Sequence, residues 1–212
     1  MYQLFYAQKS ASMGVRVLLE EIHAPYELLP TSVEMNQPRP EEQLEVNPNG
    51  WVPVLLWEGG SMYECAAITV FLCDRHPEAG LSPVIDDAKR ALYLQTLVYF
   101  SNSVQNAFQL TYYPDRFANS PAEEASAVRR GNRRLRETWS VINDQIGDSE
   151  WILGDRFSAA DIYLFMLTTW IRTALGHPSI DEFPNVKRIA DKVAQRPTVQ
   201  HVYAPWFENP DY

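Results

Sequence analysis

The hydrophobic and polar positions of this chain follow two different periods, and the change falls near residue 80. In the first part, short apolar runs bounded by turn residues predict β-strands. These runs cover residues 2–7, 26–29, 52–57 and 61–63. Apolar residues at helical spacing predict helices over 13–22 and 66–76, and a shorter helix is expected over 41–45.

The connections between these elements indicate how the strands pair. A helical crossover between the first two strands makes them parallel. Gly59-Gly60 is typical of a hairpin loop, so the last two strands are antiparallel. The order βαβ followed by ββα predicts an N-terminal α/β domain of the thioredoxin-like type.

The second part has no strand pattern. Pro77, Gly80 and Pro83 indicate a linker, and long helical patterns follow it over residues 86–111, 121–146, 162–175 and 185–195. Ser120 is a typical N-cap for the second of these helices, with Pro121 at its first position. We therefore expect an α/β domain over 1–76, a linker over 77–85 and an all-α domain over 86–212.

The third of these helices is apolar on nearly every side and should be buried. Ser158 and Asp161, at its start, have the spacing of a capping box, with Asp in the place of Glu or Gln. A buried helix end must satisfy its own N–H groups. We therefore interpret both residues as structural.

The segment 47–76 carries the most informative chemistry. Asn47-Pro48-Asn49-Gly50 is a turn, and Pro53 heads an apolar strand in which it cannot donate a ladder hydrogen bond. A cis Val52–Pro53 bond would turn the Val52 N–H and C=O outward. Glu64 and Cys65 fall where a helix begins, and a helix N-terminus favours a carboxylate. Together these features predict a receptor for a peptide-like ligand with an amine that Glu64 attracts.

Two motifs in this segment, NPNGWVPVL (47–55) and ECAAI (64–68), resemble the glutathione-binding half of cytosolic glutathione S-transferases. FSAADIYLF (157–165) is similar to the buried capping motif of the helical domain in that family. The resemblance implies that Val52, flanked by Trp51 and Pro53, binds the cysteinyl part of glutathione. It also implies that Glu64 and Cys65 hold the γ-glutamyl end. The family usually has Ser at the position of Cys65, so a hydroxyl donor is replaced by a weaker thiol donor.

A transferase of this kind has to ionise the thiol of glutathione, whose pKa is ordinarily about 8.5. Family members place Tyr, Ser or Cys after the first strand, but the matching positions here hold Lys9 and Ala11. Ser10 and Ser12 are the candidate catalytic residues, with Lys9 beside them. Ser10 would stabilise the thiolate as a hydrogen-bond donor, while Ser12 is also a plausible helix N-cap.

The resemblance extends the site in two directions. Gln37 and Arg39 are available for the glycyl carboxylate of glutathione. The first long helix should contact a small hydrophobic electrophile, and its candidates are Asn102, Gln105, Asn106, Tyr112 and Tyr113.

Composition narrows the function classes. The chain has 212 residues, a net charge of −9 and no apolar run of membrane-spanning length, so nucleic acid and membranes are not expected partners. Cys65 and Cys73 lie eight residues apart on one predicted helix, about 12 Å along its axis, too far for a disulfide. The histidines and cysteines form no metal-ligand pattern, so we expect no metal.

We therefore predict a cytoplasmic, homodimeric glutathione transferase with glutathione as its co-substrate. Two alternatives stay open. One is a glutathione-dependent disulfide or peroxide reductase that uses the thiolate of glutathione itself. The other is a glutathione-binding or regulatory protein of the same fold without catalysis.

Overall fold

The computed structural model describes residues 1–34 and 36–209. By its internal contacts the chain divides into two compact units, one formed by Met1–Arg90 with Ala194–Tyr212 and the other by Ala91–Val193. The segment after residue 194, expected in the helical domain, clusters with the first unit, because one of its helices packs against that unit's first helix.

The first unit contains a four-stranded mixed sheet. The strands are β1 (Tyr2–Tyr6), β2 (Tyr26–Pro30), β3 (Val54–Trp57) and β4 (Gly60–Tyr63). Their order is β2-β1-β3-β4. The β1–β2 pair is parallel, while β3 is antiparallel to both β1 and β4. The predicted topology is therefore confirmed, although β3 begins at Val54 and not at Val52. Pro53 has no N–H to contribute to the ladder, so the strand starts after it.

Three helices accompany the sheet: α1 (Ser12–Glu21), α2 (Glu41–Val46) and α3 (Cys65–Arg75). Leu19 of α1 and both Ile68 and Leu72 of α3 are completely buried, as are Leu4 and Leu55 of the sheet. Such burial is worth about 1.5–3 kcal/mol for each large aliphatic side chain. The apolar positions that predicted these helices therefore form part of the core of this unit.

The C-terminal segment of the first unit forms α9 (Pro197–Val202) and α10 (Ala204–Glu208). The Arg196 guanidinium donates to both carboxylate oxygens of Glu21 on α1, with N···O distances of 2.7 and 2.6 Å. Burial alone would raise the pKa of Glu21, but hydrogen bonds from Arg196 and Thr198 lower it. The predicted aromatic tail begins within α10 at Trp206 and Phe207, and its residues 210–212 lie outside the described residues.

The second unit is helical in the residues that the structure describes. Helix α4 (Arg90–Tyr99) continues into a π-helical stretch (Phe100–Gln105) and then into α5 (Asn106–Tyr112). After them come α6 (Pro121–Ile146), α7 (Ala159–Thr168) and α8 (Pro184–Ala194), with α8 ending one residue beyond the unit.

Two helix boundaries predicted from the sequence were wrong. The first long helix begins at Arg90 and not at residue 86, because Asp87 forms a turn whose side chain accepts the Lys89 N–H. Helix α7 ends at Thr168 and not at residue 175. The hydroxyl groups of Thr168 and Thr169 bond back to the carbonyls of Phe165 and Met166, which competes with further helical hydrogen bonds.

The start of α7 confirms the predicted capping box. One carboxylate oxygen of Asp161 accepts the Ser158 N–H at 2.8 Å and the Ser158 hydroxyl at 2.9 Å. The other accepts the Ile152 N–H at 2.9 Å. Asp161 is completely buried, and its burial raises the pKa of the carboxyl group to about 6. The pair therefore closes the end of a buried helix, the structural role expected of it.

Candidate active site

Three segments of the first unit meet at one end of its sheet. Val54 pairs with both Phe5 and Tyr63, so the entry to β3 lies beside the ends of β1 and β4. The turn after β1, the loop before β3 and the start of α3 therefore share this end. The Cys65 thiol of α3 donates to the Ala11 carbonyl of the turn across 3.7 Å, which joins two of the segments directly.

The loop before β3 presents the backbone of Val52. The Val52–Pro53 bond is cis, the geometry whose consequence for Val52 was considered from the sequence. Pro53 is buried and Val52 is half-buried, while the side chain of Trp51 is 47% exposed. Within residues 1–34 and 36–209, neither the N–H nor the C=O of Val52 has a hydrogen-bond partner in the protein. These two groups can therefore pair with the backbone of a peptide-like ligand.

Two buried amides hold this loop, a role that was not predicted from the sequence. The Trp51 carbonyl accepts hydrogen bonds from Gln43 Nε2 at 3.3 Å and from Asn47 Nδ2 at 3.1 Å. Gln43 is completely buried and Asn47 is 4% exposed. A glutamine in a short polar helix gives no signal of burial, so only the tertiary structure shows its role. Asn47 was recognised in the sequence only as a turn residue, and its side-chain hydrogen bond was not predicted.

Glu64 and Cys65 lie where β4 gives way to α3. Glu64 occupies the N-cap position with φ of 77°, in the left-handed region that non-glycine residues seldom adopt. Its side chain is exposed, whereas Cys65 is 6% exposed. The first N–H groups of a helix have no partner within the helix. An exposed carboxylate thus stands beside a helix N-terminus that can accept an anion.

The turn after β1 contains a compact hydroxyl cluster. Ser10 Oγ lies 2.7 Å from the Ala7 carbonyl oxygen and 2.6 Å from Ser12 Oγ. Ser12 Oγ accepts the Ala7 N–H at 3.1 Å and lies 3.0 Å from the Ala7 oxygen. Ser12 is completely buried and makes no N-cap hydrogen bond, so its predicted capping role was wrong. Its hydroxyl closes the turn onto Ala7 instead.

Lys9 and the loop before α2 supply the nearby polar and cationic groups. Lys9 is exposed and has φ of 58°, and its N–H points at the Met13 sulfur across 3.2 Å. Arg39 donates to the carbonyls of Gly50, Glu34 and Gln37. The Gln37 side chain donates to the Glu34 carboxylate at 2.9 Å. Arg39 therefore ties the loop to the turn at Gly50, besides being a predicted ligand contact.

The predicted electrophile contacts all lie in the second unit. Asn102 and Asn106 are exposed, and the Asn106 amide donates to the Asn102 carbonyl at 2.7 Å. Gln105 ends the π-helical stretch and accepts the Tyr163 hydroxyl, while the Tyr112 hydroxyl donates to the Trp170 carbonyl. The Arg116 guanidinium lies over the ring of Tyr113, 4.0 Å from the ring centroid, in a cation–π contact.

Other kinds of site receive no support from the described residues. No group of three His, Cys, Asp or Glu side chains in the described chain is arranged to hold a metal ion. No helix among these residues is long and apolar enough to cross a bilayer. His177 contacts the Arg172 N–H and the Thr111 hydroxyl at 3.0 Å each, and burial lowers its pKa to about 4. This histidine is neutral and structural.

A four-stranded mixed sheet, a cis-proline before its third strand and a helix N-terminus at the same sheet end define a thioredoxin-like domain, here in a chain that also contains a helical unit. Two family models match the chain. Residues 4–80 match the N-terminal domain of glutathione S-transferase and residues 125–191 match its C-terminal domain. The chain belongs to the glutathione S-transferase family.

Individual relatives agree with this assignment. Glutathione S-transferase GstA of Escherichia coli O157:H7 is 28% identical over 202 residues, covering 93% of this chain and 95% of the relative. The uncharacterised GST-like protein YncG of Escherichia coli K12 is 30% identical over 181 residues, covering 84% and 85%.

Solved structures show the same fold. A sphingomonad glutathione S-transferase in complex with glutathione has a TM-score of 0.82 and 25% identity, covering 96% of this chain and 98% of that chain. A glutathione S-transferase of Methylobacterium radiotolerans, in complex with glutathione sulfonate, has a TM-score of 0.78 and 28% identity, covering 95% and 93%.

Proposed function

We propose that this protein is a glutathione transferase that binds glutathione at the sheet end formed by Val52, Glu64 and the turn after β1. The bound thiolate then attacks an electrophilic carbon, forms a carbon–sulfur bond and displaces the leaving group. The observation that carries this proposal is the backbone of Val52, whose N–H and C=O have no hydrogen-bond partner among the described residues. It lies beside a helix N-terminus whose N-cap residue is an exposed carboxylate.

Each part of glutathione has a matching group. The Val52 N–H and C=O pair with the cysteinyl backbone, as an added strand pairs with a sheet edge. The N–H groups at the start of α3, with that of Cys65 first, bind the γ-glutamyl carboxylate. The Glu64 carboxylate attracts the γ-glutamyl amine. Arg39, Gln37 and Lys9 are the proposed partners of the glycyl carboxylate, since two of them are cations.

We propose that a hydrogen bond donated to the sulfur lowers the pKa of the glutathione thiol; no protein base is needed to remove its proton. Ser10 would donate its hydroxyl hydrogen to the sulfur, which stabilises the thiolate relative to the thiol. Ser12 can donate into Ser10 Oγ at 2.6 Å, and the Ser12 N–H also points at Ser10 Oγ at 3.2 Å. Ser10 is 6% exposed and its hydroxyl donates to the Ala7 carbonyl, so donation to the sulfur would require that hydrogen to turn away from Ala7. Hydrogen bonds accepted by Ser10 Oγ would make its hydroxyl a stronger donor. Ser12 thus acts through Ser10.

The remaining expectations about partners are part of the same proposal. A small hydrophobic electrophile would meet the polar and aromatic residues at 102–113 of the second unit. A second copy of the chain is the proposed protein partner, because α4 exposes Leu94 and Val98 and α6 exposes Val141, by 37%, 61% and 51%. Exposed apolar side chains on neighbouring helices are typical of an interface. We keep the cytoplasm as the proposed location.

Isothermal titration calorimetry with glutathione tests the proposal, compared between the unmodified protein, Glu64→Ala and Glu58→Ala. Glu58 is a matched control because it is likewise an exposed carboxylate, in the hairpin at the other end of β3. Loss of a charged hydrogen-bond partner should weaken binding about 10-fold to 100-fold for Glu64→Ala alone. An aryl-halide conjugation assay then measures turnover. Absence of binding by the unmodified protein would refute the proposal, and binding without conjugation would favour a binding protein.

A further inference from the structure

The buried amides of Gln43 and Asn47 converge on a single atom, the carbonyl oxygen of Trp51. Both donors come from outside the strand: Gln43 lies in α2, and Asn47 is the C-cap residue directly after α2. A carbonyl oxygen has two lone pairs, so these two bonds fill its acceptor capacity. Two buried side chains are thus committed to one backbone atom next to the proposed site.

Both amides are themselves held in place. Gln43 Oε1 accepts the Thr31 hydroxyl at 2.7 Å, and Asn47 Oδ1 accepts the Asn49 N–H at 3.2 Å. These contacts assign the oxygen and nitrogen of each amide, since an acceptor is needed on one side and a donor on the other. The NH₂ group of each side chain therefore faces the Trp51 carbonyl.

Peptide geometry carries this constraint to Val52. Among the described residues Val52–Pro53 is the one cis bond, and the Trp51–Val52 peptide is trans. In a planar trans peptide the C=O and the following N–H point in opposite directions. Holding the Trp51 carbonyl inward on two buried donors therefore aims the Val52 N–H outward. Arg39 holds the carbonyl of the preceding Gly50 at 3.0 Å, which restrains the other side of Trp51.

We propose that Gln43 and Asn47 are positioning residues for glutathione, which act by aiming the Val52 N–H at the cysteinyl carbonyl of the ligand. This inference rests on the proposed function. Neither side chain touches the ligand, and their effect should fall on glutathione affinity and not on the electrophile or on the chemical step.

The test replaces a donor with an isosteric acceptor. Asn47→Asp puts a carboxylate oxygen against the Trp51 carbonyl, and Gln43→Glu does the same from the other side. Asn49→Asp is the matched control, because it makes the same chemical change two residues away on an exposed side chain. We expect each of the first two variants to raise the Kd and the KM for glutathione about tenfold. The kcat and the KM for the electrophile should stay unchanged, as should all constants of Asn49→Asp.

Three further measurements separate positioning from loss of structure. At low pH the carboxyl group introduced by Asn47→Asp is protonated, and its hydroxyl can again donate to the Trp51 carbonyl. The glutathione affinity of that variant, relative to the unmodified protein, should therefore recover as the pH falls. In an NMR titration at saturating glutathione, the Val52 amide shift should be smaller than in the unmodified protein, while the Cys65 amide shift is kept. Thermal unfolding of each variant, with and without glutathione, reports whether it is folded.

The outcomes are distinct. If the unmodified protein does not bind glutathione, the proposed function fails first. If it binds and both folded variants bind equally well, the positioning inference is overturned. If affinity falls but does not recover at low pH, and the Val52 and Cys65 shifts are lost together, the amides maintain the fold of the loop and do not aim one N–H group, which also overturns it.

Discussion

Replacement of Ser10 by alanine gives the sharpest test of how the thiol is ionised. The Ala7–Ser10–Ser12 cluster has three oxygen–oxygen contacts, at 2.7, 2.6 and 3.0 Å. The two hydroxyl groups supply only two hydrogens, so one contact always lacks a hydrogen. Ser10 can therefore turn its hydrogen to a ligand while Ser12 donates into Ser10, at the loss of one bond to Ala7.

The magnitude follows from this exchange. A neutral hydrogen bond contributes about 1 kcal/mol, and one to a charged group contributes about 1.5–3 kcal/mol. The net stabilisation of the thiolate is then about 0.5–2 kcal/mol. One pKa unit corresponds to about 1.4 kcal/mol, so Ser10→Ala should raise the pKa of bound glutathione by about one unit. Ser12→Ala should raise it less, because Ser12 acts only through Ser10.

The assay is a pH titration of the ultraviolet absorbance of the thiolate at saturating glutathione. Ser61→Ala, on the exposed edge strand β4, is the control and should leave the titration unchanged. A larger shift for Ser12→Ala would mean that the two roles are reversed. If both variants titrate like the unmodified protein, backbone N–H groups and not the Ser10 hydroxyl stabilise the sulfur, which refutes the role proposed for Ser10.

Four further outcomes are expected. Cys65→Ser should tighten glutathione binding severalfold, because a hydroxyl is a stronger hydrogen-bond donor than a thiol. The thiol now contacts the Ala11 carbonyl. Unchanged affinity in calorimetry would show that only the backbone of Cys65 contacts the ligand. Gly131→Ala should destabilise the protein by about 1–3 kcal/mol in urea unfolding, because its Cβ would lie 2.7 Å from Thr111 Cγ2; equal stability would exclude that close contact. Burial raises the pKa of Asp161 from 3.8 to about 6, so stability should fall by about 2 kcal/mol as the pH rises from 4 to 7; Asp161→Asn should lose this slope in unfolding curves. Burial lowers the pKa of His177 from 6.5 to about 4, so it contributes stability that is present above pH 6.5 and lost as the pH falls through 4. His177→Gln should remove this slope, whose sign is opposite to that of Asp161. An unaltered pH profile of stability would contradict the burial of His177 as a neutral group.

Much of the fold was predictable because its signals are local. The strand and helix periods, the glycine hairpin and the capping box at Ser158 and Asp161 depend on residues close together in sequence. The two helix ends that were wrong depend on side-chain hydrogen bonds at Asp87 and at Thr168 and Thr169, which local propensity does not specify. The capping role of Ser12 was wrong for a similar reason, since its hydroxyl bonds back to Ala7.

The sequence by itself determined the order of the elements, the turn at 47–50 before Pro53, and the resemblance of 47–55 and 64–68 to a glutathione-binding half. Turn residues and apolar periods act over a few positions, so these signals are local. Only the tertiary structure decided that Gln43 and Asn47 meet on the Trp51 carbonyl and that Cys65 contacts the turn at Ala11. Those contacts join residues from separate elements. They exist only once the sheet brings the ends of β1, β3 and β4 together and water is excluded from the amides between them.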